Sequence, residues 1–181
     1  IRSDHSFRPP MPEATTKFGS PNACNQCHDD KTPQWANDIV KVRPNGDYQE
    51  ETLYWAQLIK EAREENWKRL DEMLEIIQKN KYNEVVVTSF IRMLANCPDD
   101  KKWETLLDAA RNNPSPLARA AAVTSLNGNL SDQTKSALVT AAGDKIRLVR
   151  VSAAASLAGF GDERFTATEK QVVENATDEY M

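Results

Sequence analysis

One ten-residue pattern recurs three times in this sequence at nearly constant spacing, and the recurrence restricts the fold more than any other feature. Residues 117–126 align with residues 148–157 at an offset of 31, and with residues 85–94 at an offset of 32 in the other direction. Each copy has the apolar periodicity of a helix. The helices that precede these copies are predicted at 67–78, 102–112 and 132–142. Since one pair of helices cannot bury its apolar face alone, the pairs must stack on one another.

The repeated helices have a composition that permits close stacking. Small side chains occupy Ala120–Ala122 and Ala153–Ala155, and an arginine recurs at Arg119 and Arg150. The stretch Val149–Leu157, VRVSAAASL, resembles the inner helix of a HEAT repeat, which reads V-R-x-x-A-A-x-A-L. This resemblance implies an all-α fold in which HEAT-like helix pairs form an α-solenoid.

The same alignment makes two further predictions about the solenoid. It places Leu94, Leu126 and Leu157 in one row through the core. It also predicts a fourth repeat, which begins with an outer helix between Thr166 and Tyr180. The predicted fold class is therefore all-α, an α-solenoid of HEAT-like helix pairs preceded by an irregular segment.

The irregular segment contains the pentapeptide Cys24-Asn25-Gln26-Cys27-His28, which has the C-x-x-C-H pattern of c-type haem attachment. Two thiols one helical turn apart can form thioethers with the two vinyl groups along one porphyrin edge. The adjacent imidazole then supplies the proximal iron ligand. The sequence therefore predicts one haem c per chain, with Cys24 and Cys27 as anchors and His28 on the iron.

Other interpretations of these cysteines find less support. A thioredoxin-type pair follows a strand in a βαβ unit, whereas a loop containing Gly19 and Pro21 precedes this motif. A structural zinc ion would need two more ligands, and the chain offers only His5 and the distant Cys97. A disulfide between the two motif cysteines would not account for the histidine that follows them. We expect Cys97 itself to be a small buried residue at a helix end.

The segment around the motif is predicted to be mostly without regular structure. Several prolines and a glycine interrupt residues 1 to about 23, where no apolar periodicity is present. A short helix is predicted after the motif, with Thr32 as N-cap and Pro33 at its first position. On that helix Trp35 could pack against the porphyrin edge or be an ordinary core residue. The breaker cluster 43–47 sets the predicted boundary between a haem c-binding segment, 1–44, and a HEAT-like domain, 45–181.

The iron of a low-spin electron-transfer haem needs a second axial ligand, and few residues could supply one. His5 is the one other histidine of the chain, and Met11 lies in the same proline-rich arm. His5 could ligate this haem, ligate a different haem, or have no ligand role, and Met11 could bind instead. The sequence alone leaves these alternatives open.

Composition excludes some classes of function. Twenty-three basic and 27 acidic residues give a net charge of −4, and the two signs are interspersed, unlike the basic face of a nucleic-acid-binding protein. No apolar run approaches the roughly 18 to 20 residues that cross a bilayer. The chain starts at Ile1 without an initiator Met, so we interpret it as a piece of a longer protein.

The combination of motif and repeats resembles a family of periplasmic multihaem c-type cytochromes with HEAT-like and tetratricopeptide repeats. The matching stretches are 4–8, 19–31, Trp35-Ala36 and the helix pairs that follow. The resemblance implies a periplasmic or extracellular electron-transfer protein in which this chain carries the terminal haem. The further haem sites expected upstream are not present in this sequence.

Three functions are compatible with these features. The first is non-catalytic electron transfer through one haem c, with the solenoid docking redox partner proteins or neighbouring haem domains. The second is membership of a multihaem redox enzyme, although the sequence offers no acid, base or substrate pocket for one. The third is a protein-interaction scaffold with a structural haem. A nucleic-acid partner and a membrane span are not expected.

Overall fold

The structure is a computed structural model, and it describes residues 9–43 and 48–180. Within these two ranges the chain is all-α, without a β-strand. It divides into two compact units, unit 1 (residues 1–57) and unit 2 (residues 58–181). The helices are α1 (Pro12–Phe18), α2 (Ala23–Cys27), α3 (Pro33–Lys41), α4 (Gln49–Arg63), α5 (Leu70–Gln78), α6 (Glu84–Leu94), α7 (Lys102–Asn112), α8 (Pro116–Ser125), α9 (Asp132–Ala142), α10 (Arg147–Leu157) and α11 (Ala167–Tyr180).

Unit 2 contains the predicted helix pairs. α5 and α6, α7 and α8, and α9 and α10 are consecutive pairs, and α11 opens a fourth. The inner helices α6, α8 and α10 pack one against the next, which is the arrangement of a solenoid. The all-α solenoid prediction is confirmed. The helices predicted at 102–112 and 132–142 have the observed bounds, whereas the one predicted at 67–78 begins later, at Leu70.

Polar side chains at the helix starts explain where the paired helices begin. The side chains of Asn83, Ser115 and Ser131 accept hydrogen bonds from backbone N–H groups in the first turns of α6, α8 and α9. These groups have no partner within a helix, so the caps stabilise each start. Pro116 follows its cap at the first helical position, where a missing N–H costs nothing.

The predicted leucine positions all lie in the core of unit 2. Leu94 and Leu126 are fully buried, and Leu157 is 2% exposed. Two buried serines, Ser125 and Ser156, link the inner helices beside these leucines. Their hydroxyls donate to the carbonyl oxygens of Ile91 (3.1 Å) and Val123 (3.3 Å), each on the preceding inner helix. Because the two serines occupy equivalent repeat positions, they make the same bond one repeat apart.

The recurring arginines also make equivalent contacts. The Arg119 guanidinium forms two hydrogen bonds with the Asp144 carboxylate, at 2.8 and 3.1 Å. Arg150 forms two with Glu179, at 2.8 and 2.7 Å. A third nitrogen of each arginine donates to a backbone carbonyl in the turn before its own helix. Arg119 bonds to the Asn113 carbonyl, and Arg150 bonds to the Asp144 carbonyl. Each arginine therefore connects the turn before its own helix to an acid of the next repeat, Asp144 just after α9 or Glu179 in the last turn of α11.

Unit 1 contains α1, α2, α3 and the beginning of α4, and it corrects one prediction. The expectation that residues 1 to about 23 lack regular structure is wrong for Pro12–Phe18, which form α1. Pro12 occupies the first turn, where proline starts a helix. Gly19 ends it with φ of 68°, a left-handed conformation that glycine adopts without strain, and its N–H donates to Thr15.

The remaining predictions for this part of the chain have different outcomes. α3 begins as predicted, with Pro33 in its first turn and the Thr32 hydroxyl accepting from the Trp35 N–H at 3.2 Å. The predicted domain boundary between residues 44 and 45 lies outside the described residues, and it stays a prediction.

None of the helices described here is both long and apolar enough to cross a lipid bilayer.

Candidate functional site

The C-x-x-C-H motif of unit 1 lies on a single short turn of helix, α2. The side chain of Asn22 starts this turn by accepting a hydrogen bond from the Asn25 N–H at 3.1 Å. Because Cys24 and Cys27 are three residues apart on a helix, their side chains lie on one face. His28 caps the end of the helix, and its N–H donates to the Cys24 carbonyl at 2.9 Å.

Asparagine side chains hold this turn in place. The Nδ2 of Asn22, which is buried, donates to the Thr15 hydroxyl of α1 at 2.8 Å. The Nδ2 of Asn25 donates to the carbonyl oxygens of His28 (3.3 Å) and Lys31 (2.8 Å). The backbone on both sides of the two cysteines is therefore fixed by side-chain bonds that the sequence analysis did not identify.

A cavity of about 550 Å³ opens beside the motif. Its volume lies within the roughly 300–1,000 Å³ of small-molecule and cofactor sites. Cys24, Cys27 and His28 all line it, and neither cysteine is in a disulfide. The other lining residues are Pro9, Pro10, Ala23, Trp35, Ala36, Ile39, Val40, Arg43 and Tyr48. The three motif residues thus meet in a cavity whose remaining walls are largely apolar.

Trp35 lies against the motif histidine. Its ring centroid is 5.0 Å from that of His28, and the two ring planes are tilted by 59°. The Thr32 cap fixes the start of α3 and so places Trp35 one turn into that helix. The sequence leaves Trp35 open between a porphyrin contact and a core role; in the structure it lines the cavity beside the imidazole.

A polar network joins the helices of unit 1 behind the cavity. The Glu13 carboxylate of α1 forms ion pairs with Lys17 at 2.7 Å and Lys41 at 3.0 Å. The hydrogen bonds from Lys17 and Lys41 lower the pKa of Glu13 from 4.5 to about 2. Gln49, which is buried, donates to Asn37 at 3.2 Å and accepts from the Glu13 N–H at 3.3 Å. Glu13 therefore connects α1 to α3 through Lys41, and Gln49 connects the start of α4 to both helices.

Among the cavity residues that the sequence did not predict, Arg43 and Tyr48 are the two with polar side chains. The Tyr48 hydroxyl donates to the carbonyl of Pro10, which also lines the cavity. Burial raises the pKa of Tyr48, as does Cys24, while the positive charge of Arg43 opposes the rise. Arg43 is the first residue of the 43–47 breaker cluster and Tyr48 follows it directly, and this cluster predicts only a domain boundary. Their nearness to a turn after α3 was the available signal.

The other predicted ligands lie elsewhere. His5 lies outside the described residues, so its role as an axial ligand stays a prediction. Met11 is at the N-cap of α1 and is not among the described residues that line the cavity. Cys97 follows α6 and is 1% exposed, as expected, and burial raises the pKa of its thiol. Across residues 9–43 and 48–180 there is no cluster of three or more His, Cys, Asp or Glu side chains arranged to hold a metal ion.

The donor set at the cavity fits a covalently bound haem. Both thiols are available for thioether bonds, since neither is oxidised to a disulfide, and the adjacent imidazole lines the same cavity. Apolar side chains such as Ile39 and Val40 match the hydrophobic faces of a porphyrin, and a cation stands at the wall. Cys24, Cys27 and His28 could therefore hold the cofactor that the motif predicts.

Comparisons with known proteins identify the repeats. Residues 103–180 match a family model described as HEAT repeats, and the match covers α7 to α11. This part of the chain is therefore similar to HEAT repeats, in agreement with the alignment of the inner helices. No curated protein and no solved structure shows significant similarity to the chain.

Proposed function

We propose that this chain transfers electrons through one covalently attached haem c and forms part of a larger multihaem cytochrome. The observation that carries the proposal is the convergence of Cys24, Cys27 and His28 on one cavity with largely apolar walls. The haem iron would supply the redox chemistry by alternating between its ferric and ferrous states. The proposal includes no catalytic residue in this chain.

The protein's own residues would bind and tune the cofactor. Cys24 and Cys27 would provide the two thioether sulfurs, and His28 would donate its imidazole as proximal ligand. Trp35, whose ring centroid lies 5.0 Å from that of His28, would help to orient the imidazole. The apolar walls would keep water from the cofactor, and burial of this kind is one of the means by which a protein sets a reduction potential. The site would thus supply attachment, axial ligation and an apolar surface for the cofactor.

The HEAT repeats suggest a scaffold for protein interaction, since stacked helix pairs present extended surfaces to other proteins. We propose that the partners are redox proteins or neighbouring haem domains. We further propose a periplasmic or extracellular location, because a c-type haem is attached after export in the family that the sequence resembles. The docking role and the redox role would then belong to different units of the chain.

Intact-mass analysis under denaturing conditions tests attachment. The chain is produced by export into a periplasm that contains haem-attachment machinery, and its mass is measured in acid and organic solvent. We expect an added mass of one haem, which is absent from the double variant Cys24→Ala, Cys27→Ala. The matched control Cys97→Ala, which removes the remaining thiol, should keep the added mass. A wild-type protein with the bare polypeptide mass and no haem absorption would refute the proposal.

A second function, a protein-interaction scaffold with a structural haem, is favoured by the HEAT match over residues 103–180. A redox titration of the loaded protein separates the two. Reversible reduction and oxidation in the physiological range supports electron transfer. A haem that cannot be cycled reversibly supports the scaffold.

A further inference from the structure

Arg43 differs from every other residue of the cavity wall. It is the one permanently charged side chain among the described residues that line the cavity, and it lies just after α3. It is exposed, and no described residue forms an ion pair with it. The cations of α1 and α3, by contrast, are paired, since Lys17 and Lys41 both bind Glu13. Among the described residues, Arg43 is therefore a cation that lines the cavity without an ion-pair partner.

Haem is an apolar ring that carries two carboxylates, the propionates. The apolar wall residues contact a ring but cannot pair with a carboxylate. The hydroxyl of Tyr48 already donates its proton to the Pro10 carbonyl, so it is not available for this purpose. A guanidinium presents a planar fork of N–H donors that matches both oxygens of a carboxylate. Arg43 is therefore the described wall residue whose chemistry suits the acidic edge of the cofactor.

We infer that Arg43 is a carboxylate-binding residue that holds a haem propionate and raises the reduction potential of the iron. This inference rests on the proposed function, since it assumes that haem occupies the cavity. The positive charge of Arg43 stabilises the ferrous state relative to the ferric state, because the ferric state carries one more positive charge. Neutralising Arg43 therefore lowers the potential, whereas a lysine keeps the charge and loses the paired hydrogen bonds.

The experiment compares the loaded wild-type protein with Arg43→Gln, Arg43→Lys and the control Lys31→Gln. Lys31 is an exposed cation of the same unit that pairs with Asp30 at 2.7 Å and does not line the cavity. Midpoint potentials are measured by spectroelectrochemical titration, after denaturing mass analysis has shown one haem on each protein. Resonance Raman spectra report the propionate bending band.

We expect Arg43→Gln to shift the ferric to ferrous equilibrium about tenfold toward ferric, a fall of about 59 mV for one electron. Lys31→Gln should shift it less than about twofold. Arg43→Lys should keep the potential but move the propionate band. An unchanged potential in Arg43→Gln would overturn the inference. If that variant does not load haem, an unmoved propionate band in Arg43→Lys overturns it instead. If the mass analysis finds no haem on the wild-type protein, the proposed function is refuted. This result is distinct from failure of the Arg43 inference, which requires a loaded protein.

Discussion

Replacing Leu126 by alanine tests whether the inner helices are aligned as the repeat predicts. Leu126 is fully buried at the end of α8, the middle inner helix, and its equivalents Leu94 and Leu157 are buried on α6 and α10. The substitution removes three carbon atoms, which at about 0.8 kcal/mol each amounts to about 2.4 kcal/mol of lost transfer free energy. The cavity left behind adds to this loss, so we expect unit 2 to lose about 2–5 kcal/mol.

The assay is urea unfolding followed by helical circular dichroism, with the loss in free energy of unfolding taken from midpoint and slope. Leu130→Ala is the matched control, because it makes the same chemical change at a side chain that is 51% exposed. We expect the control to cost less than about 1 kcal/mol. A loss below about 0.5 kcal/mol for Leu126→Ala would mean that the repeat register is wrong.

Two electrostatic predictions follow from the ion pairs. Arg119→Ala should destabilise unit 2 by about 2–4 kcal/mol, because it leaves the Asp144 carboxylate, which is 14% exposed, without the arginine. The control is Arg164→Ala. Its partner Asp132 is 91% exposed, so this variant should cost less than about 1 kcal/mol. Since the pKa of Glu13 falls from 4.5 to about 2 on folding, its stabilisation is complete above pH 4.5 and is lost as the pH falls toward 2. The urea midpoint of the wild-type protein should fall as the pH is lowered from 7 to 3, and Glu13→Gln should make this fall smaller. The control Glu51→Gln, at an exposed glutamate, should leave the fall unchanged.

Either comparison can fail in a recognisable way. Equal losses in the two arginine variants would contradict the role assigned to burial of the Arg119 pair. A Glu13→Gln variant with the wild-type acid profile would show that a different carboxylate controls the acid stability of the protein.

The solenoid could be predicted because its determinants recur in the sequence. A buried leucine at the same position of three inner helices produces a visible period, and the structure places all three in the core. The bonds that join the helices were harder to predict. Ser125 and Ser156 also recur, but a serine on a helix commonly bonds to its own helix, as Ser152 does to Leu148 at 2.9 Å. Only packing decides which serine reaches the neighbouring helix.

Unit 1 was less predictable because its helices are short. Helix α1 has seven residues, too few to be stable by propensity alone. It is held by contacts from distant positions, such as Asn22 to Thr15 and Gln49 to Glu13. The prolines and the glycine of residues 1 to about 23 therefore predict irregular structure, whereas Pro12–Phe18 form a helix. Proline at a first position and glycine after the last residue are start and stop signals, and they were interpreted as breakers.

The candidate site divides in the same way between local and distant determinants. The chemistry of Cys24, Cys27 and His28 depends on spacing along five residues, so it could be predicted from the sequence without knowledge of the fold. The wall residues Arg43 and Tyr48 belong to no motif, and only the folded structure shows that they line the cavity. Motif reading therefore finds the residues that would attach a cofactor and misses those that would tune it.

The small core of unit 1 gives a physical reason for the irregular appearance of its sequence. Its buried apolar side chains, among the residues described, are Pro12, Ala36, Val40 and Leu53, few for a unit of this length. Units with so little buried apolar surface commonly depend on a metal, a disulfide or a bound group. The proposed haem would fill the cavity of about 550 Å³ and cover Ile39, which is 37% exposed. The apolar pattern looks weak because, under this proposal, the largest apolar component of the core is a cofactor that the sequence encodes only through the three residues that bind it.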